Sequence, residues 1–162
     1  MQTKAVFFGA LACAVMLVTA CGETTASGGA ITQVTAAATP VTAATVTVAT
    51  DSKLGKILVD ANGKTLYLFA ADTGTTSTCY GECAKNWPPQ LTAGAPIAGT
   101  GANAGLLGTT SRNDGSVEVT YGGHPLYYFV GDAGAGATTG QAQNSNGGLW
   151  YVLGPDGKQI GQ

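Results

Sequence analysis

Ile57-Leu58-Val59-Asp60-Ala61-Asn62-Gly63-Lys64-Thr65-Leu66-Tyr67-Leu68-Phe69 is the stretch that decides the fold class. Two runs of β-branched, aliphatic and aromatic residues flank an Asn-Gly pair. That pair is the strongest short hairpin signal, because a two-residue turn needs positive φ at both positions. Val117-Glu118-Val119-Thr120-Tyr121, Gly122-Gly123 and Pro125-Leu126-Tyr127-Tyr128-Phe129 repeat the plan. A shift of 60 positions lays Gly63 on Gly123, Leu66 on Leu126, Tyr67 on Tyr127, Phe69 on Phe129, Asp72 on Asp132 and Gly74 on Gly134. The chain therefore reads as all-β with a minor helix. Two related hairpin repeats, about 45–92 and about 105–162, form one small β domain over 45–162.

Working outward, Thr45-Val46-Thr47-Val48 alternates with period two like an edge strand, and Leu149-Trp150-Tyr151-Val152-Leu153 reads as the last strand. Leu91 to Gly105 is rich in Gly, Ala, Thr and Pro and reads as a surface loop. A short helical segment is expected at Cys79 to Lys85. Of 162 residues only 10% are charged, with 7 Lys plus Arg against 9 Asp plus Glu, a net charge of −2. No basic excess is available to neutralise phosphates, so nucleic acid is not expected as a partner. No heptads appear, which excludes a coiled coil.

Upstream, Met1 to Lys4 carries one positive charge, and Ala5 to Ala20 then runs for 16 uncharged residues, mostly apolar or small. A membrane-spanning helix needs about 20 residues, and this pattern describes a secretory signal over 1–20. Val18-Thr19-Ala20-Cys21 resembles the lipobox of bacterial lipoproteins. That resemblance implies cleavage before Cys21 and diacylglycerol on its thiol, with the new amino group often acylated too. Two or more acyl chains anchor stably where one does not. The expected location is extracytoplasmic, lipid-anchored to the cell membrane, or to the outer membrane in a host with two. Residues 21–44 are Thr/Ala-rich and read as a flexible tether spanning roughly 25 Å.

Tyr67-Leu68-Phe69-Ala70-Ala71-Asp72 and Tyr127-Tyr128-Phe129-Val130-Gly131-Asp132 resemble a family of secreted bacterial repeats, tandem lipoproteins with a Tyr-x-aromatic-x-x-Asp motif. Cys79-Tyr80-Gly81-Glu82-Cys83-Ala84-Lys85-Asn86-Trp87-Pro88-Pro89 also looks like that family's segment after its first motif. The resemblance covers about Thr45 to Ile160. It implies a small β-rich envelope domain and assigns it no activity.

The residues offer several chemistries. With Cys21 lipidated, Cys79 and Cys83 form an even pair in an oxidising compartment and read as a disulfide. The alternatives are a soft-metal site or a redox switch. The repeated carboxylates Asp72 and Asp132 could serve acid–base work or, with His124, a metal. The competing reading is an Asx-turn that ends each strand. Tyr67, Phe69, Tyr127, Phe129, Trp87 and Trp150 read first as core. As a ligand platform, Tyr80, Trp87, Tyr128 and Trp150 are the candidate contacts, with Tyr151 also placed outward. No nucleophile elbow or phosphate-cradling loop is present, so no catalytic residue and no cofactor beyond the lipid is expected. The leading expectation is a non-catalytic binding or structural module, with an envelope protein or extracellular ligand as partner. A metal- or redox-linked envelope protein is the alternative. A weaker third is an enzyme acting on wall or extracellular polymer through the two aspartates.

Overall fold

A computed structural model describes residues 42–161. The signal segment, Cys21 and most of the 21–44 tether lie outside the described residues. The elements are mostly short strands: β1 Thr45–Asp51, β2 Gly55–Asp60, β3 Tyr67–Phe69, α1 Glu82–Asn86, β4 Ile97–Ala98, β5 Leu107–Ser111, β6 Val117–Tyr121, β7 His124–Pro125, β8 Asn144–Ser145 and β9 Gly148–Val152. They form three small sheets, in the orders β2-β1-β4, β3-β9-β8 and β5-β6-β7. The expected small all-β domain of two repeats is thus built from three sheets. The β1 strand is also not an edge, since β4 pairs parallel to it from within the supposed loop of Leu91 to Gly105.

The two hairpins match in register. Val46 faces Asp60 across β1 and β2 as Leu107 faces Tyr121 across β5 and β6. On this register Ile57 corresponds to Glu118 and Asp51 to Arg112. The turns that follow differ. Gly122 and Gly123 both have positive φ and make the expected two-residue turn between β6 and β7. In the first repeat only Gly63 is left-handed, not Asn62. There the Asp60 carboxylate accepts from the N–H groups of Asn62 (2.8 Å) and Lys64 (2.9 Å), holding a wider turn. The extra residue explains why the hairpins align at a different shift from the Tyr motifs.

Beyond its turn, each Tyr strand leaves its own hairpin and pairs with the other repeat. In repeat one, β3 runs antiparallel to β9, with Tyr67 opposite Val152 and Phe69 opposite Trp150. In repeat two, Tyr128 N–H donates to Pro88 O (2.8 Å) and Val130 N–H to Asn86 O (3.0 Å), both in repeat one. Tyr67 and Tyr127 exchange backbone hydrogen bonds of 2.9 Å in each direction. These equivalent residues therefore meet at the pseudo-twofold axis. Separating the repeats would expose these backbone groups, so neither repeat is a self-sufficient unit.

Candidate functional site

The axis is built of rings. Trp87 and Trp150 stack at 3.9 Å with an interplanar angle of 3°. Phe69 stacks on Trp150 (4.1 Å) and Phe129 on Trp87 (4.3 Å), which extends the stack to four rings. Tyr67 meets Trp87 edge-on at 5.4 Å, and Tyr127 meets Trp150 edge-on at 5.2 Å. Both Trp side chains are fully buried, with their indole N–H groups satisfied by Ser145. The candidate contacts Trp87 and Trp150 are therefore core, and Tyr151 is buried as well. A chain this poor in large aliphatics fills its centre with aromatic area instead.

The repeated aspartates flank this stack, each half-exposed. Tyr67 donates its hydroxyl to Asp132 Oδ2 and Tyr127 donates to Asp72 Oδ2, both at 2.7 Å. The other oxygen of each carboxylate closes its own loop. Asp72 Oδ1 accepts from the Thr78 N–H and hydroxyl, and Asp132 Oδ1 accepts the same pair from Thr139. Neither is the short Asx-turn expected from the spacing. Each holds a loop six or seven residues long and reaches across to the other repeat's tyrosine. Burial raises both tyrosine pKa values, reinforced by the Asp132 charge at Tyr67 and by Glu118 at Tyr127. Both phenols stay protonated as donors.

Cys79 and Cys83 are joined as a disulfide, with Cα atoms 5.2 Å apart, across the start of α1. In this oxidised state the pair presents no thiolate to a metal. The Arg112 guanidinium, itself buried, packs behind the disulfide and donates to the Cys79 carbonyl (2.7 Å), to Ser77 Oγ (2.7 Å) and to Glu118 Oε2 (2.7 Å). Its Cζ lies 4.4 Å over the Tyr80 ring, so this candidate contact is half-buried under a cation. Burial pushes the Glu118 carboxyl up to about 7, opposed by Arg112 and aided by the Asp72 charge. Burial works against the Arg112 charge too, yet Glu118 holds the guanidinium above its ordinary value. Arg112, Glu118 and Ser77 escaped the sequence reading. Period-two alternation would turn Glu118 outward, but β6 is covered on both faces. The buried Ile57 at the equivalent place was the available signal.

Of the outward candidates, Tyr128 borders an open space. It is half-buried and borders a cleft of about 460 Å³ with Asp60, Asn62, Gln90 and residues 42–45. Its hydroxyl donates to Asp60 Oδ2 at 3.3 Å, and burial together with that carboxylate raises its pKa. Gln90 is buried there, with Oε1 lacking a partner among the described residues. His124 lies apart in β7, paired by backbone with Tyr121. Among the described residues no three His, Cys, Asp or Glu side chains gather at metal-binding distance, so Asp72, Asp132 and His124 do not converge on one ion.

A family model described as a secreted repeat of unknown function matches residues 48–90 and 108–153, more than half of the chain. No curated protein and no solved structure matches it.

Proposed function

The chain belongs to this family of secreted repeats, and from that membership we propose that it is a lipid-moored module displayed on the cell envelope, acting by binding or structural presentation rather than catalysis. One observation carries the non-catalytic reading. Each motif aspartate has one oxygen closing its own loop and the other held by the opposite repeat's tyrosine. Three of the roughly four acceptor positions of each carboxylate are thereby spent on holding the fold. The motif's chemistry builds the domain, and the cleft beside Tyr128 is the surface left for a ligand.

The mooring rests on Val18-Thr19-Ala20-Cys21 and on the secreted character of the family. Mass spectrometry of the protein from its native envelope is the test. An amino-terminal peptide beginning at acylated Cys21 is expected, with Cys21→Ser abolishing the acylation and releasing the chain from the membrane fraction. An intact Met1 terminus without lipid, fractionating as a soluble protein, would contradict it.

A further inference from the structure

The two hairpins differ at their outer edges. Along β1, Ile97 N–H donates to Ala44 O (2.8 Å), Gly99 N–H to Val46 O (2.7 Å) and Val48 N–H to Thr100 O (3.0 Å), so residues 97–100 close the edge. The covering segment has to be small. A Cβ at Gly99 would stand 3.0 Å from Thr47 Cβ, and one at Gly101 3.0 Å from Val48 Cβ. In repeat two, β5 takes the place of β1. Gly122 N–H donates to Leu106 O and Arg112 N–H to Ser116 O, so the even-numbered residues of β5 face β6. Leu107, Thr109 and Ser111 consequently point their backbone groups outward. Among the described residues the N–H groups of Thr109 and Ser111 and the carbonyls of all three have no backbone partner. The segment after repeat two turns back instead, with Leu153 pairing Gln159 and Ile160 N–H donating to Val152 O (2.8 Å).

This open edge carries none of the usual protection. Leu107-Gly108-Thr109-Thr110-Ser111 contains no lysine, proline or charge, the devices that keep edge strands from pairing. Beside it, on the face of the same hairpin, a groove of about 420 Å³ lies between Thr109, the partly exposed Val117 and residues 92–95. The groove gives an added strand room for an apolar side chain.

We propose that the outer edge of β5 is a strand-acceptor site for an extended segment of another extracytoplasmic polypeptide, running parallel to β5, with small uncharged side chains and one apolar residue over Val117. Backbone hydrogen bonds supply affinity in such strand addition, and pockets for alternate side chains supply selectivity. The molecule itself sets the chemistry, since Ile97-Ala98-Gly99-Thr100 covers the equivalent edge in this parallel manner. A second copy meeting β5 with its own β5 about a twofold axis would have to pair antiparallel, against that precedent.

Hydrogen exchange over residues 107–111 in the full chain tests this. A copy of residues 95–101 is fused after Gln162 through a flexible glycine–serine linker, which raises its local concentration to about millimolar. The fusion should slow exchange at Thr109 and Ser111 by about tenfold or more. A fused copy with proline at the positions of Ile97 and Gly99 should not. Unchanged exchange with the fusion would overturn the proposal. Slow exchange already present in the unfused chain would overturn it as well, in favour of the protein's own amino-terminal segment if independent of concentration and of a second copy if concentration-dependent.

Discussion

Around Tyr67 the bond to Asp132 closes beside Gly140 and apolar rings, whereas around Tyr127 the bond to Asp72 closes beside Ser77, Glu118 and Arg112. The clamps share their geometry, and the residues behind them do not correspond in kind. Ile57 stands where the other half has Glu118, Asp51 where it has Arg112, and Gly140 where it has Cys79. The difference teaches which positions the pseudo-twofold axis constrains. Residues that bond across it recur in both repeats. Those behind it differ between the two repeats, and where one is the buried Glu118, Arg112 is there to hold it.

The largest expected effect separates Arg112 from its counterpart. Arg112→Ala strands Glu118 as a buried carboxylate and should cost about 3–5 kcal/mol. Asp51, on a turn where it caps the N–H groups of Lys53 and Leu54, should cost about 1 kcal/mol as Asp51→Ala. Urea denaturation of both variants measures the contrast. Should Arg112→Ala fail to fold, the double replacement Arg112→Met with Glu118→Leu should restore folding, because it removes both charges together. Equal costs for the two single variants would erase the distinction between the halves.

Gly140 and Cys79 sharpen it further. A Cβ at Gly140 would lie 2.8 Å from Trp87 and 2.9 Å from Tyr67, so Gly140→Ala should cost about 1–3 kcal/mol through overpacking. Cys79→Ala with Cys83→Ala removes the disulfide and with it two buried sulfurs that pack in the same cluster as the rings. It should cost at least about 2 kcal/mol, the loop-entropy value for so short a bridge, with the lost packing of the sulfurs added to it. Thermal unfolding of both variants checks the order.

A smaller effect is in pH. The Glu118 carboxyl ionises near 4.5 in the unfolded chain and about 7 in the folded one. Between those values the folded state holds the extra proton, so stability falls as pH rises from about 4.5 to about 7. Glu118→Gln should flatten that slope, while substitutions at Ile57 should leave it in place. Denaturation midpoints across this window supply the measurement.

Much of the domain was legible from residue patterns, because turns and period-two runs report local geometry. The hairpins and the last strand follow from that kind of signal, the disulfide follows from an even cysteine pair in an oxidising compartment, and the helix expected at Cys79 to Lys85 forms later, at Glu82–Asn86. Periodicity says which face of a strand is covered and nothing about which strand covers it. The exchange of β3 and the Tyr127 strand between repeats therefore stayed hidden. So did the parallel β4, whose Ile97-Ala98 has the composition of a loop. Trp87 and Trp150 were ambiguous for a different reason. An indole suits a core and a ligand platform equally, and only its neighbours decide. Glu118 went unread because alternation assumes one wet face, and from Glu118 to Tyr121 β6 has none.

The reciprocal clamp across the axis is the central claim, and a double-mutant cycle tests it most directly. Tyr67→Phe and Asp132→Asn, made singly and together, should show a coupling of about 1–2 kcal/mol in unfolding free energy, although the residues belong to different repeats. Tyr67→Phe combined with Asp72→Asn, both within repeat one, should be additive to within about 0.5 kcal/mol. Coupling inside the repeat and additivity across it would mean that each motif serves its own turn, and the interlocked account would fall.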